Sequence, residues 1–223
     1  MRHFRIGFTW VLIFSIAMAF LESAIVVYLR ELYYPEGFAF PLKALPDNIV
    51  AVELFREAAT IIMLLAVSVL AGKDGPERFA YFLFSFAIWD IFYYVFLKVI
   101  LGWPASFLTW DILFLLPVTW VGPVIAPLIN SLTMILLSML IICFSATKKP
   151  ARILAKEWTL LIMGSLVIIL SYTMDYISFM LQEFTLIELF LYRDPEKIIS
   201  LSTQYVPNYF NWTVFIAGQV ILL

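Results

Sequence analysis

Long apolar runs alternate with short polar breaks along this chain. Five runs, 6–29, 49–71, 78–101, 124–146 and 158–182, reach the length a helix needs to cross a bilayer, roughly 20 residues at about 1.5 Å each. A sixth, 207–223, is shorter and carries no charge. The stretch 105–123, ASFLTWDILFLLPVTWVGP, is apolar but interrupted by Pro117 and Pro123. Proline removes a backbone donor and clashes with the preceding turn. The segment therefore reads either as a half-helix or re-entrant piece before a full span, or as an interfacial helix lying flat. A re-entrant backbone has to be buried in protein or line a cavity. The expected fold class is all-α. It is a polytopic membrane helix bundle of about six transmembrane helices, one domain over 1–223, with a Pro-broken or re-entrant segment at 105–123.

The connections are uneven. Segment 30–48 holds Pro35, Gly37, Pro41 and Pro46 and reads as an ordered or partly buried loop. Segment 183–206 is amphipathic. Its Asp194-Pro195-Glu196 has the order of an N-cap, a first-turn proline and a first-turn acid, which predicts a short interfacial helix from Pro195 to Thr203. Tyr33, Tyr34, Trp103, Trp110, Tyr205, Tyr209 and Trp212 gather near one predicted boundary, as an aromatic belt does. The start, MRHFRIGFTWVLIFSIAMA, imitates a signal peptide with an Ala17-Met18-Ala19 site. The apolar run continues to Leu29, so it is read as an uncleaved first span.

Lysine and arginine set the orientation. With the N-terminus in the cytoplasm, that side receives Arg2, Arg5, Lys73, Arg78, Lys148, Lys149, Arg152 and Lys156. The other side receives Arg30, Lys43, Lys98, Arg193 and Lys197. Six crossings put both termini in the cytoplasm. The expected location is a bacterial or archaeal cytoplasmic membrane.

Composition agrees with the pattern. The chain is 64% hydrophobic and 13% charged, against roughly 45–50% and about 25% in soluble domains, and its mean hydropathy is +0.99. That much apolar surface has to face lipid. Cys143 is the single cysteine and His3 the single histidine. An internal disulfide, a CxxC pair, bis-histidine haem ligation, HExxH zinc chemistry and a Ser–His–Asp triad therefore lack their parts. No phosphate loop or dinucleotide fingerprint is present. No metal, no cofactor and no nucleic-acid partner is expected. The expected partners are the bilayer, a cation, small solute or lipid ligand, and membrane-protein subunits.

An ionisable residue near the centre of a span costs about 2.5–3.5 kcal/mol by insertion scales, so those that occur carry information. Glu22, Glu53, Arg56, Glu57, Asp90 and Asp175 come from separate predicted helices yet share one depth range in the exterior half. Glu53, Glu57 and Thr60 fall on one helical face, with Arg56 beside them. Asp90, Tyr94 and Lys98 make a second stripe, and Ser171, Asp175, Ser178 and Gln182 a third. Lipid cannot satisfy such stripes, so they turn inward. Glu22, Glu53, Arg56, Glu57, Asp90 and Asp175 form the predicted binding site, with Arg56 as its hub. The acids outnumber the bases, and the surplus has to be met by protons, a cation, a cationic substrate or water.

The same residues also suit a purely structural role, because polar groups tie membrane helices together. Lys98 fits a residue that snorkels to the headgroups, and Cys143 fits a small apolar filler. Three readings of function follow. The first is a small-solute, cation- or proton-linked binding or transport protein. The second is an accessory or assembly subunit of a larger membrane complex. The third is an intramembrane enzyme acting on a lipid or isoprenoid.

Overall fold

The computed structural model of the chain describes residues 2–116, 118–145, 153–191 and 193–223. Pro117, Lys148, Lys149 and Arg152, which entered the sequence argument, lie outside them. Among the described residues five helices are long and apolar enough to cross a membrane, and the protein is a multi-pass membrane helix bundle. They are α1 (Arg2–Tyr33), α2 (Asp47–Ala71), α3 (Gly75–Leu101), α4 (Ile125–Ser145) and α5 (Ala155–Met180).

Between α3 and α4 the chain forms a small antiparallel hairpin, β1 (Trp110–Phe114) and β2 (Trp120–Pro123). This corrects the half-helix expected over 105–123. The sequence is rich in aromatic and β-branched residues, and the hairpin pairs the backbone groups that a broken helix would leave open. Trp110 sits opposite Pro123, Asp111 opposite Gly122 and Ile112 opposite Val121. Gly122 lets the strand pack closely here, since a Cβ would lie 3.1 Å from the Tyr172 ring and 3.2 Å from Phe210 and those rings would have to give way.

The chain ends in three shorter helices, α6 (Leu186–Phe190), α7 (Pro195–Ser202) and α8 (Trp212–Leu222). α7 matches the helix expected at Pro195–Thr203, and the Asp194 side chain accepts from the Lys197 backbone N–H at 3.2 Å. The run 207–223, expected as a sixth span, contains α8, whose 11 residues rise about 16 Å, roughly half the apolar core of a bilayer.

α3 is the central helix and packs against α1, α2 and α4. Its N-terminus is capped by Asp74, which accepts from Glu77 N at 2.9 Å, and it ends at Gly102 with φ 68°. α1 turns one stripe inward, Val11, Ser15, Met18, Glu22 and Arg30, all buried at the spacing of a helical face. α2 does the same with Glu53, Glu57, Thr60, Leu64 and Ser68, while Phe55, Ile62 and Leu70 face outward and exposed. α5 and α8 meet at Gly164 and Gly218. The ends of α1, α3 and α5, the starts of α2 and α4, and the hairpin share one end of the bundle, here called the hairpin end.

Candidate functional site

A cavity of about 260 Å³ opens from the hairpin end into the bundle. Small-molecule sites run from about 300 to 1,000 Å³, so it is small. α1, α2, α3, the hairpin, α4 and α5 all contribute to its wall. Glu22 and Asp90 lie about three turns from the ends of α1 and α3, which places them deep within the bundle.

Of the predicted residues, the structure brings Glu22, Glu53, Arg56, Glu57 and Asp90 to this one wall. Arg56 is held from two helices. Its Nε and Nη2 donate to Glu53 Oε2 at 2.9 and 2.7 Å, and its Nη1 donates to Glu22. The planar fork of a guanidinium suits this bridging. Thr60 Oγ1 donates to Glu22 Oε2 at 3.3 Å. Glu57 does something different. Both of its oxygens accept from the Leu115 backbone N–H at 3.0 Å, so an α2 carboxylate anchors the end of β1.

Asp175 does not join them. Its Oδ2 accepts from Tyr205 Oη at 2.6 Å and from the Asn208 N–H at 3.2 Å, and it lines a separate, smaller recess with Ser171 and Ser178. Burial, and then the bond to Asp175, push the Tyr205 hydroxyl well above its ordinary value, which keeps it a donor. The third stripe turns inward only in part: Ser171 is buried and Asp175 half-buried against the chain after α7, while Ser178 and Gln182 are exposed. Lys98 also stays out. Its Nζ donates to the carbonyls of Gly102 and Pro104 at 3.0 and 2.7 Å, closing the C-terminus of α3.

The structure adds a pair that the sequence argument left out of the site. Arg30 Nη2 donates to Asp111 Oδ1 at 3.4 Å, and Tyr94 Oη donates to Asp111 Oδ2 at 3.2 Å. The Arg30 guanidinium lies 3.8 Å from the Trp103 ring centre and 4.6 Å from that of Phe38, a cation–π clamp. Burial pushes the Asp111 carboxyl up to about 6, against the pull of Arg30 and the Tyr94 hydroxyl. Arg30 had a readable signal: it stands two turns beyond Glu22 on the same face of α1. Asp111 had a weaker one, as the only acid in an otherwise apolar segment.

The wall thus carries five carboxylates, Glu22, Glu53, Glu57, Asp90 and Asp111, and three cations, Arg30, Lys43 and Arg56. Both arginines are committed to carboxylates, and Lys43 is an exposed residue of the loop between α1 and α2. Asp90 accepts from Ser131 Oγ at 2.7 Å. Among the described residues no cation lies within salt-bridge distance of it. Next to Asp90 the wall is aromatic, with Phe86, Trp89, Phe114, Trp120 and Tyr172. Phe114 stands 6.4 Å from Trp89 and 5.5 Å from Trp120, and Trp120 stacks on Tyr172 at 6.1 Å and 11°. A carboxylate without a counter-charge beside aromatic faces is suited to receive a positive group. Comparison of the chain with protein-family models, with curated proteins and with solved structures gives no match.

Proposed function

We propose that this membrane protein binds a small organic cation in the cavity at the hairpin end, as the recognition site of a small-solute binding or transport protein. Asp90 carries the reading. Every other carboxylate on the wall has a partner that fixes it: Arg56 for Glu22 and Glu53, the Leu115 N–H for Glu57, and Arg30 with Tyr94 for Asp111. Among the described residues Asp90 has a serine hydroxyl alone, in a place where an unbalanced charge is costly. An ammonium group supplies the missing charge, and the neighbouring rings supply cation–π contact. A proton on Asp90 is the competing occupant, so binding is coupled to proton release.

The test uses the purified protein in lipid nanodiscs with 2-phenylethylamine and, as the anionic counterpart, phenylacetate. Calorimetry should show binding of the amine and none of the acid. Asp90→Asn nearly keeps the shape and removes the charge. It should abolish amine binding and leave the melting temperature within a few degrees of the parent. The two arginine–carboxylate networks favour a second reading, an accessory subunit whose polar groups only tie helices together. On that reading Asp90→Asn lowers thermal stability and neither probe binds.

A further inference from the structure

Four residues that carry unpartnered polar atoms line the cavity. Arg30, Trp89 and Tyr172 are 7%, 7% and 3% exposed. Arg30 Nη1, Trp89 Nε1, Trp120 Nε1 and Tyr172 Oη are buried with no hydrogen-bond partner among the described residues. All four residues line the cavity. Three of the four atoms can only donate, and the tyrosine hydroxyl can do either. Buried donors are normally paired, and each one left open calls for an explanation. A group that brings only positive charge answers Asp90 and leaves every one of these donors unanswered. An anion answers the donors but meets five carboxylates.

The ligand that answers both is a cation carrying a neutral hydrogen-bond acceptor. We infer that the cavity is selective for an amine with a hydroxyl, ether or carbonyl oxygen close to its nitrogen. The ammonium pairs with Asp90, and the oxygen accepts from the indole and phenol donors around Phe114. Trp89 and Trp120 both pack near Phe114, and Tyr172 is stacked on Trp120, so the donor-bearing rings form one cluster on the wall that Asp90 shares. The donor atoms are covered by their neighbours in this structure. An acceptor therefore reaches them through a turn of the aromatic side chains, and binding is accompanied by rearrangement of that wall.

This inference rests on the cation reading and deepens it, and a matched trio separates the two. The probes are 2-phenylethylamine, 2-amino-1-phenylethanol and 1-phenylethanol, titrated into the full chain in nanodiscs by calorimetry. The amino alcohol is expected to bind about fivefold or more tighter than the amine, the worth of one neutral hydrogen bond, and the neutral alcohol far more weakly than either. Tyr172→Phe and Trp120→Phe, with melting temperature as the fold control, should shrink that ratio. Asp90→Asn should cost both amines their affinity. Equal binding of the two amines overturns the acceptor inference and leaves the cation reading standing. Binding of the neutral alcohol as tightly as the amino alcohol overturns the cation reading, and binding of none of the three overturns both. If the phenylalanine variants fail to fold, the parent's ratio between the two amines still decides.

Discussion

At the scale of single residues, burial turns ordinary side chains into constraints. Arg56 is 16% exposed at its side chain, and its partners Glu22 and Glu53 are 10% and 8% exposed. Removing it strands two carboxylates in the bundle, and breaking such a pair costs about 3–5 kcal/mol when burial is complete. Arg56→Ala should therefore lower stability by a few kcal/mol and by more than Glu53→Ala, read as melting temperature in nanodiscs. Arg56→Lys should fall between the parent and Arg56→Ala, because an ammonium keeps the charge but loses the planar fork. A melting temperature for Arg56→Ala equal to the parent's would mean that the pairs contribute nothing.

At the scale of elements, two contacts decide how the helices meet. The hairpin is held by Glu57 at the Leu115 N–H and by Tyr172 against Gly122. α5 and α8 approach at a pair of glycines, where a Cβ on Gly164 would lie 2.8 Å from the Leu222 side chain and 3.1 Å from the Gly218 carbonyl. Close backbone approach between small residues is the usual way helices associate in lipid. Gly164→Val should destabilise by about 1–3 kcal/mol through overpacking. Gly75→Ala, where an added Cβ meets nothing within 4 Å, should be close to neutral. Equal melting temperatures for the two variants would count against the close α5–α8 contact.

At the scale of the whole molecule, the basic residues bear on which way the bundle sits in the bilayer. The distribution of Arg2, Arg5, Lys73, Arg78, Lys148, Lys149, Arg152 and Lys156 against Arg30, Lys43, Lys98, Arg193 and Lys197 in the sequence leads us to propose that the hairpin end faces the exterior. Reporter fusions within 183–206 should then read as exterior, and a reporter between α2 and α3, at Lys73–Asp74, as cytoplasmic. A fusion after Leu223 reads as cytoplasmic only if 207–223 completes a sixth crossing. An exterior signal there would limit the crossings to five and leave the placement of the cavity unchanged. A cytoplasmic signal from 183–206 would reverse the molecule and place the cation site on the inner face.

How much of this was legible without coordinates depends on the range over which each feature is determined. The five long spans, the Asp194 cap of α7 and the inward stripe Glu53–Glu57–Thr60 follow from periods of 3.6 residues and from the energy of apolar side chains in lipid, both local to the chain. The gathering of Glu22, Glu53, Arg56, Glu57 and Asp90 on one wall follows nearly as directly, since a charge deep in a span has only the interior to face. Other features needed the tertiary structure. The segment 105–123 had to choose between helix and hairpin, and its partners Glu57 and Tyr172 are distant in sequence. Asp175 and Arg30 occupy comparable depths on inward faces, yet Asp175 meets Tyr205 and Asn208 while Arg30 meets Asp111. Depth and face say that a polar side chain turns inward, but only the packing of neighbouring elements decides which polar group it meets.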